Sequence, residues 1–142
     1  KVVIPETGDV KIWTRPEPEW FDTYARLKEL NDYERDAFRN MMDNLAVPAR
    51  FVMLMDEGEP VAGGFTIREG EMAGLFGLVT DKEKRNQGHG RLLVWTLLNR
   101  ARKAGAKLAY LQVEETNGSA LHVYESIGFE ELYRYWYRTL ES

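Results

Sequence analysis

Apolar and polar positions recur along this chain with two periods, and each change of period marks an element. Residues 1–9 carry Pro5, Gly8 and Asp9 and read as a loose lead-in, after which Val10 to Thr14 predicts a short strand. Pro16 and Pro18 break regular structure. From about Trp20 to Leu30 the positions Phe21, Tyr24, Ala25, Leu27 and Leu30 have the spacing of one helix face. Asn31-Asp32 interrupts that run, and either residue can cap a second helix reaching Leu45. Phe38, Met41, Met42 and Leu45 share its apolar face, with both methionines as core filler. Pro48 closes the segment. Arg50–Asp56 and Val61–Arg68 then read as two strands joined by the turn Glu57-Gly58-Glu59-Pro60. Gly63-Gly64 inside the return strand predicts a bulge or a close backbone approach. Glu69-Gly70-Glu71 turns the chain again, into a third strand, Met72–Thr80.

Beyond Thr80 the pattern changes. A polar, glycine-bearing stretch, Arg85-Asn86-Gln87-Gly88-His89-Gly90-Arg91, leads to a helical run from near Leu92 to Ala104. Leu93, Leu97 and Ala101 lie on one face of that helix, Trp95, Leu98 and Arg102 on another, and Gly105 stops it. Lys107–Val113 is the next β-rich run. Strand, helix and strand at this spacing imply a right-handed crossover and two parallel strands. Asn117-Gly118-Ser119 opens a short helix with Ala120, Val123, Tyr124 and Ile127 aligned, ended by Gly128. Phe129–Leu140 alternates in part and reads as one final strand. The expected class is α/β (α+β), an antiparallel meander joined to a crossover unit.

Composition narrows the functional classes. The 142 residues suit one domain, and 44% hydrophobic content with four Trp allows a genuine core. The absence of cysteine excludes disulfides and thiolate metal sites and fits a reducing, cytoplasmic setting. His89 and His122 are the only histidines, isolated from each other, and make no metal site. No apolar run approaches the ~20 residues that span a bilayer, so no membrane role is expected. A net charge of −4 argues against nucleic acid and is compatible with a cationic amine as substrate.

The chemistry concentrates in Arg85 to Arg91. Two glycines one residue apart let the backbone bend tightly and approach a ligand. The first amides of the following helix have no partner within it and carry the positive end of its dipole, so a phosphate or pyrophosphate suits them. Arg85 and Arg91 bracket the loop and can add charge-assisted hydrogen bonds. The dinucleotide fingerprint is not met, since Leu93 stands where its third glycine would be, and no Gly-Lys-Ser/Thr follows to make a P-loop.

Arg85, Gly88 and Gly90 match the pattern Arg/Gln-x-x-Gly-x-Gly/Ala, and Asn117, Ala120, Tyr124 and Gly128-Phe129 match Asn-x-x-Ala-x-x-x-Tyr-x-x-x-Gly-Phe. In this order and spacing the two motifs resemble the GNAT superfamily of N-acetyltransferases. The resemblance covers about Phe51 to Phe129. It divides the domain into an acceptor-side region (1–50), an acyl-CoA-binding core (51–129) and a C-terminal strand (130–142). The last of these is similar to the C-terminal repeat of tandem GNAT proteins. The fold it implies is a mixed, mostly antiparallel sheet, flanked by helices, with a central pair of parallel strands that splay apart.

The function it implies is transfer of an acetyl group from acetyl-CoA to a primary amine by direct attack. Leu78, Val79 and Thr80 would offer backbone groups to the pantetheine arm, with an N–H near Val79 polarising the thioester carbonyl. Arg85, Asn86, Gln87, Gly88, His89, Gly90 and Arg91 would take the pyrophosphate of coenzyme A. Asn117 would bond the pantetheine arm, or cap the helix that follows, or both. Tyr124 would be the general acid for the departing thiolate, because a phenol of pKa ~10 stays protonated at neutral pH. A base is harder to place. Gln112 stands where some members carry a glutamate, and Ala73-Gly74 where others do. Glu114, two residues on and so on the same strand face as Gln112, is the candidate; a water chain or an amine arriving neutral are the alternatives. The rival reading is a domain that binds acyl-CoA without turning it over. The acceptor, small molecule or peptide, stays open, and so does a homodimer, formed through the aromatic last strand if that is an open edge, or a tandem partner domain.

Overall fold

The structure, a computed structural model, describes residues 9–85, 87–112, 118–132 and 135–140. In chain order the elements are β1 (Val10–Trp13), α1 (Pro18–Lys28), α2 (Asp32–Asp43), β2 (Ala49–Asp56), β3 (Glu59–Glu69), β4 (Met72–Thr80), a 3₁₀ turn (Lys82–Lys84), α3 (His89–Lys103), β5 (Leu108–Gln112), α4 (Gly118–Ile127), β6 (Glu130–Leu132) and β7 (Tyr135–Thr139). The strands form one sheet in the order β1-β2-β3-β4-β5-β7-β6. All neighbours are antiparallel except β4 and β5, which run parallel through the α3 crossover.

Local chemistry accounts for most boundaries. Pro18 opens α1, where its missing N–H costs nothing. Asn31 caps α2 through a capping box: its side chain accepts from the Glu34 amide at 2.8 Å, and the Glu34 carboxylate accepts from the Asn31 amide at 3.0 Å. Between β2 and β3 the two loop residues, Glu57 (φ 50°) and Gly58 (φ 81°), are both left-handed, which matches the twist of a two-residue hairpin.

Alternation along the strands sends apolar side chains to both faces. Val52, Leu54, Val61, Ala62, Leu75, Ala109 and Leu111 pack under α3 and α4 with Leu93, Val94, Leu97, Leu98 and Ile127. Phe51, Met53 and Phe65 face the other way and pack under α1 and α2 with Trp20, Phe21, Tyr24 and Met42. This second layer is aromatic: Trp20 stacks on Tyr24 at 4.8 Å and meets Phe51 edge-on at 4.9 Å, while its indole donates to the Val52 carbonyl at 3.1 Å. Burying each such side chain is worth roughly 1.5–3 kcal/mol, so α1 is held by its apolar face.

Three expectations need correction. The C-terminal segment is not one strand but a hairpin, β6 and β7, and β7 lies inside the sheet between β5 and β6. Its edge is therefore covered along Tyr135–Tyr137, and among the described residues the outer strands of the sheet are β1 and β6. Helix α3 begins at His89, three residues earlier than the apolar spacing suggests, because Gly88 adopts the left-handed conformation at its N-cap (φ 82°). Met42 is core, but Met41 is 53% exposed, since the helix turns it past the edge of the aromatic layer. The two faces distinguished on α3 both reach the core: Leu98 is as deeply buried as Leu97, because α3 packs on β3, β4 and α4 and is covered on two sides.

Candidate active site

Strands β4 and β5 pair from Met72↔Leu108 to Leu75↔Leu111, and their pairing stops there. Beyond that point each strand follows its other neighbour. β4 runs on beside β3, with Gly63↔Val79 and Ala62↔Thr80, while β5 stays with β7 through Gln112↔Tyr135. A V-shaped gap opens between them.

The cause lies in β4. Between the pairs Phe65↔Phe76 and Gly63↔Val79, β3 spends one residue, Gly64, and β4 spends two, Gly77 and Leu78. That is a bulge, which bends its strand and strengthens its twist. Gly77 sits at φ 64°, a conformation that suits glycine. The bulge expected at Gly63-Gly64 is therefore present, but the extra residue is on the facing strand. Gly63 and Gly64 supply close approach instead: a Cβ would lie 2.8 Å from Met53 Cε at Gly63 and 3.0 Å from Leu78 Cδ2 at Gly64.

A cleft of about 560 Å³ occupies the gap. Leu78, Val79 and Thr80 form its β4 side, Arg85, Gly88, Gly90 and Arg91 one end, and Val123 and Tyr124 of α4 the wall beyond. Leu93 and Val94 add apolar lining from α3. Leu27, Lys28 and Glu29 close it from the opposite sheet face, so the cleft passes through the plane of the sheet. Gly88 has open space around the position a side chain would take, and at Gly90 the nearest atom is Thr80 Cγ2 at 3.6 Å. The first intrahelical bond of α3 is Leu92 N–H to Gly88 O, at 3.0 Å. The amides of His89, Gly90 and Arg91 precede that bond, in the position where a helix receives an anion. Arg91 reaches across to α4 and donates to Ser126 Oγ, whose hydroxyl donates to the Val123 carbonyl at 2.7 Å.

Tyr124 is 9% exposed and meets Phe129 edge-on at 6.0 Å. Burial pushes its phenol above the usual tyrosine range, which keeps it protonated. Its helix ends at Gly128 (φ 110°), and Arg138 Nε donates to the Ile127 carbonyl at 3.0 Å, placing a cation at the α4 C-terminus.

Eight residues marked in the sequence, Leu78, Val79, Thr80, Arg85, Gly88, Gly90, Arg91 and Tyr124, thus line one cleft. Gln87 is exposed beside it. His89 stands in the first turn of α3 rather than in the loop, and its Nε2 is buried with no hydrogen-bond partner among the described residues. Asn86, Glu114 and Asn117 lie outside the described residues. Leu27, Lys28 and Glu29 carried no mark, since nothing local in α1 points to a ligand. Among the described residues no group of three His, Cys, Asp or Glu could hold a metal ion, and no helix is long and apolar enough to cross a membrane.

Comparison with known proteins places this architecture. The model of the acetyltransferase (GNAT) family matches residues 10–129. An uncharacterised N-acetyltransferase of Bacillus subtilis, YobR, is 24% identical over 123 residues, covering 87% of this chain and 50% of its own length. The [ribosomal protein bS18]-alanine N-acetyltransferase of Escherichia coli K12 is 32% identical over 91 residues, 63% of this chain and 62% of that protein. The chain thus spans about half to two thirds of these relatives. The crystal structure of the Escherichia coli ribosomal-protein-S18-alanine enzyme superposes with a TM-score of 0.75 at 20% identity, over 94% of this chain and 96% of that one. That of an aminoglycoside 6'-N-acetyltransferase complexed with coenzyme A superposes with a TM-score of 0.71 at 18% identity, over 95% and 98%.

Proposed function

This chain belongs to the GNAT acetyltransferase family, and from that premise we propose that it moves the acetyl group of acetyl-CoA onto a primary amine by direct attack. The observation that carries the reading is the cleft through the sheet. One opening supplies unpaired helix amides and two arginines for a diphosphate, and the gap beside β4 leads from there to a protonated phenol. The relatives' names add that one acetylates the alanine of ribosomal protein bS18 and another an aminoglycoside, both amine acceptors.

In the reaction the amine lone pair attacks the thioester carbon, and a backbone N–H beside Val79, where the bulge turns β4, stabilises the oxyanion. The C–S bond then breaks, and Tyr124 gives its proton to the sulfur leaving group. Glu114 takes the proton that the amine loses. The acceptor would be met by the region before β2, a reading supported by α1 packing over β3 and β4 on the sheet face opposite α3.

Gln112, at the end of β5, favours the rival reading of a domain that binds acyl-CoA without turnover, because an amide cannot serve as base. Thiol release from acetyl-CoA across a panel of small amines, polyamines, aminoglycosides and peptide N-termini separates the two. Release with any member establishes the enzyme. Tight coenzyme A binding with no release from the whole panel leaves the binding domain.

A further inference from the structure

One wall of the cleft is the end of α1. Lys28 is the last residue of that helix, and Glu29 caps it in the left-handed conformation, φ 57° and ψ 45°. There the Glu29 carboxylate accepts a hydrogen bond from Lys82 Nζ at 2.7 Å. Lys82 opens the 3₁₀ turn that leads to Arg85 and does not itself line the cleft. The ion pair therefore ties the α1 wall to the segment entering the phosphate loop, and this hydrogen bond raises the Lys82 pKa above the ordinary lysine value.

The pair also changes the charge that a ligand meets. Among the described residues, the charged side chains lining the cleft are Lys28, Arg85, Arg91 and Glu29. The single carboxylate among them is offset by Lys82 from outside, whereas Lys28 has no carboxylate partner among the described residues. Three cations thus face the cleft around a neutralised acid. Coenzyme A carries a diphosphate and a separate ribose phosphomonoester, the latter alone bearing about −1.5 to −2 charges at neutral pH. Together with the charge on the diphosphate, this exceeds what Arg85 and Arg91 offset.

We infer that Lys28 is a third phosphate-binding residue of the acyl-CoA site, gripping the ligand from the α1 wall, and that the Glu29–Lys82 pair keeps a free carboxylate from facing the same phosphates. This rests on the acyl-CoA reading above. It adds a binding residue from the half of the chain that holds no nucleotide-binding motif.

The test is calorimetric titration of the folded protein with coenzyme A and with dephospho-coenzyme A, at low and high salt. Lys28→Ala should weaken coenzyme A binding about tenfold at low salt, with a smaller salt dependence than the parent. Lys82→Ala should weaken it as well, by exposing Glu29, and Glu29→Gln in the same chain should restore binding to within about twofold of the parent. If the Lys28→Ala loss persists with dephospho-coenzyme A, the diphosphate is the partner; if it vanishes, the ribose phosphate is. Either supports the assignment. Lys28→Ala binding like the parent, or no recovery on adding Glu29→Gln, overturns it while leaving the acyl-CoA reading intact. A folded parent protein that binds no coenzyme A at all overturns both.

Discussion

Gly77→Ala puts the origin of the cleft to the test. A Cβ at this position would lie 2.6 Å from Tyr24 Oη, 2.8 Å from Phe65 Cε1 and 3.2 Å from Phe65 Cδ1, on a backbone at φ 64°. Neither neighbour yields cheaply. Tyr24 is 3% exposed and stacks on Trp20 and on Phe38, at 4.8 and 5.1 Å; Phe65 is stacked between Phe51 and Phe76, at 5.6 and 5.7 Å. Two costs add. The left-handed conformation costs a residue with a Cβ about 1–2 kcal/mol, and overpacking a filled core typically costs ~1–3 kcal/mol. The sum is roughly 2–5 kcal/mol, a large part of the stability of an ordinary domain. Gly70 supplies the control: it has φ 60° but no atom within 4 Å of the added Cβ, so Gly70→Ala should cost the backbone term alone, about 1–2 kcal/mol. Urea denaturation of the parent and both variants reads the difference. Adding Tyr24→Phe to Gly77→Ala removes the nearest clash but not the Phe65 contact, and should recover part of the loss. Coenzyme A titration of the surviving folded fraction completes the measurement, since a flattened bulge shifts Leu78 to Thr80 by one residue and turns their backbone groups away from the gap. Equal costs at Gly77 and Gly70, with ligand binding kept, would refute the claim that this bulge sets the splay.

Tyr124→Phe should lower the rate of thiol release about 100-fold while coenzyme A affinity stays within roughly twofold; equal loss in rate and affinity would mark a packing role. Glu114→Gln should lower kcat/KM on an alkylamine about 100-fold near pH 7, with the deficit shrinking towards pH 10 as the amine, of pKa ~10.4, sheds its own proton. A deficit constant with pH would exclude Glu114 as proton acceptor. Burial pushes the Tyr24 phenol to about 12, so its share of stability is intact below the unfolded value of ~10 and is lost as pH rises through that window. Tyr24→Phe should remove that loss, roughly 2 kcal/mol by pH 12, and flatten the alkaline limb of a stability-versus-pH curve.

What could be read from the chain follows from how far each contact reaches along it. The glycine loop, the Tyr124 helix and the crossover between them were legible, because each depends on residues a few positions apart: Gly88 before a helix start, Gly128 after a helix end, an apolar face at constant spacing. The pairing of β6 with β7 was missed because the run Phe129–Leu140 carries no Gly, Pro, Asn or Asp to mark a reversal, and a strand pattern does not say where a strand folds back. The β4 bulge was half legible. Gly63-Gly64 drew attention to the correct place, but a bulge is a mismatch between two strands, and one strand's sequence cannot say which partner holds the extra residue. Lys28 and Glu29 were not legible at all. They enter the cleft from about fifty residues before Lys82, and nothing in an amphipathic helix separates a lysine facing phosphate from one facing water. A ligand site that passes through a sheet has to draw on both of its faces. In a chain that lays down one face's helices before β2 and the other face's after β4, part of such a site comes from a segment with no motif, and in this protein that segment is the end of α1.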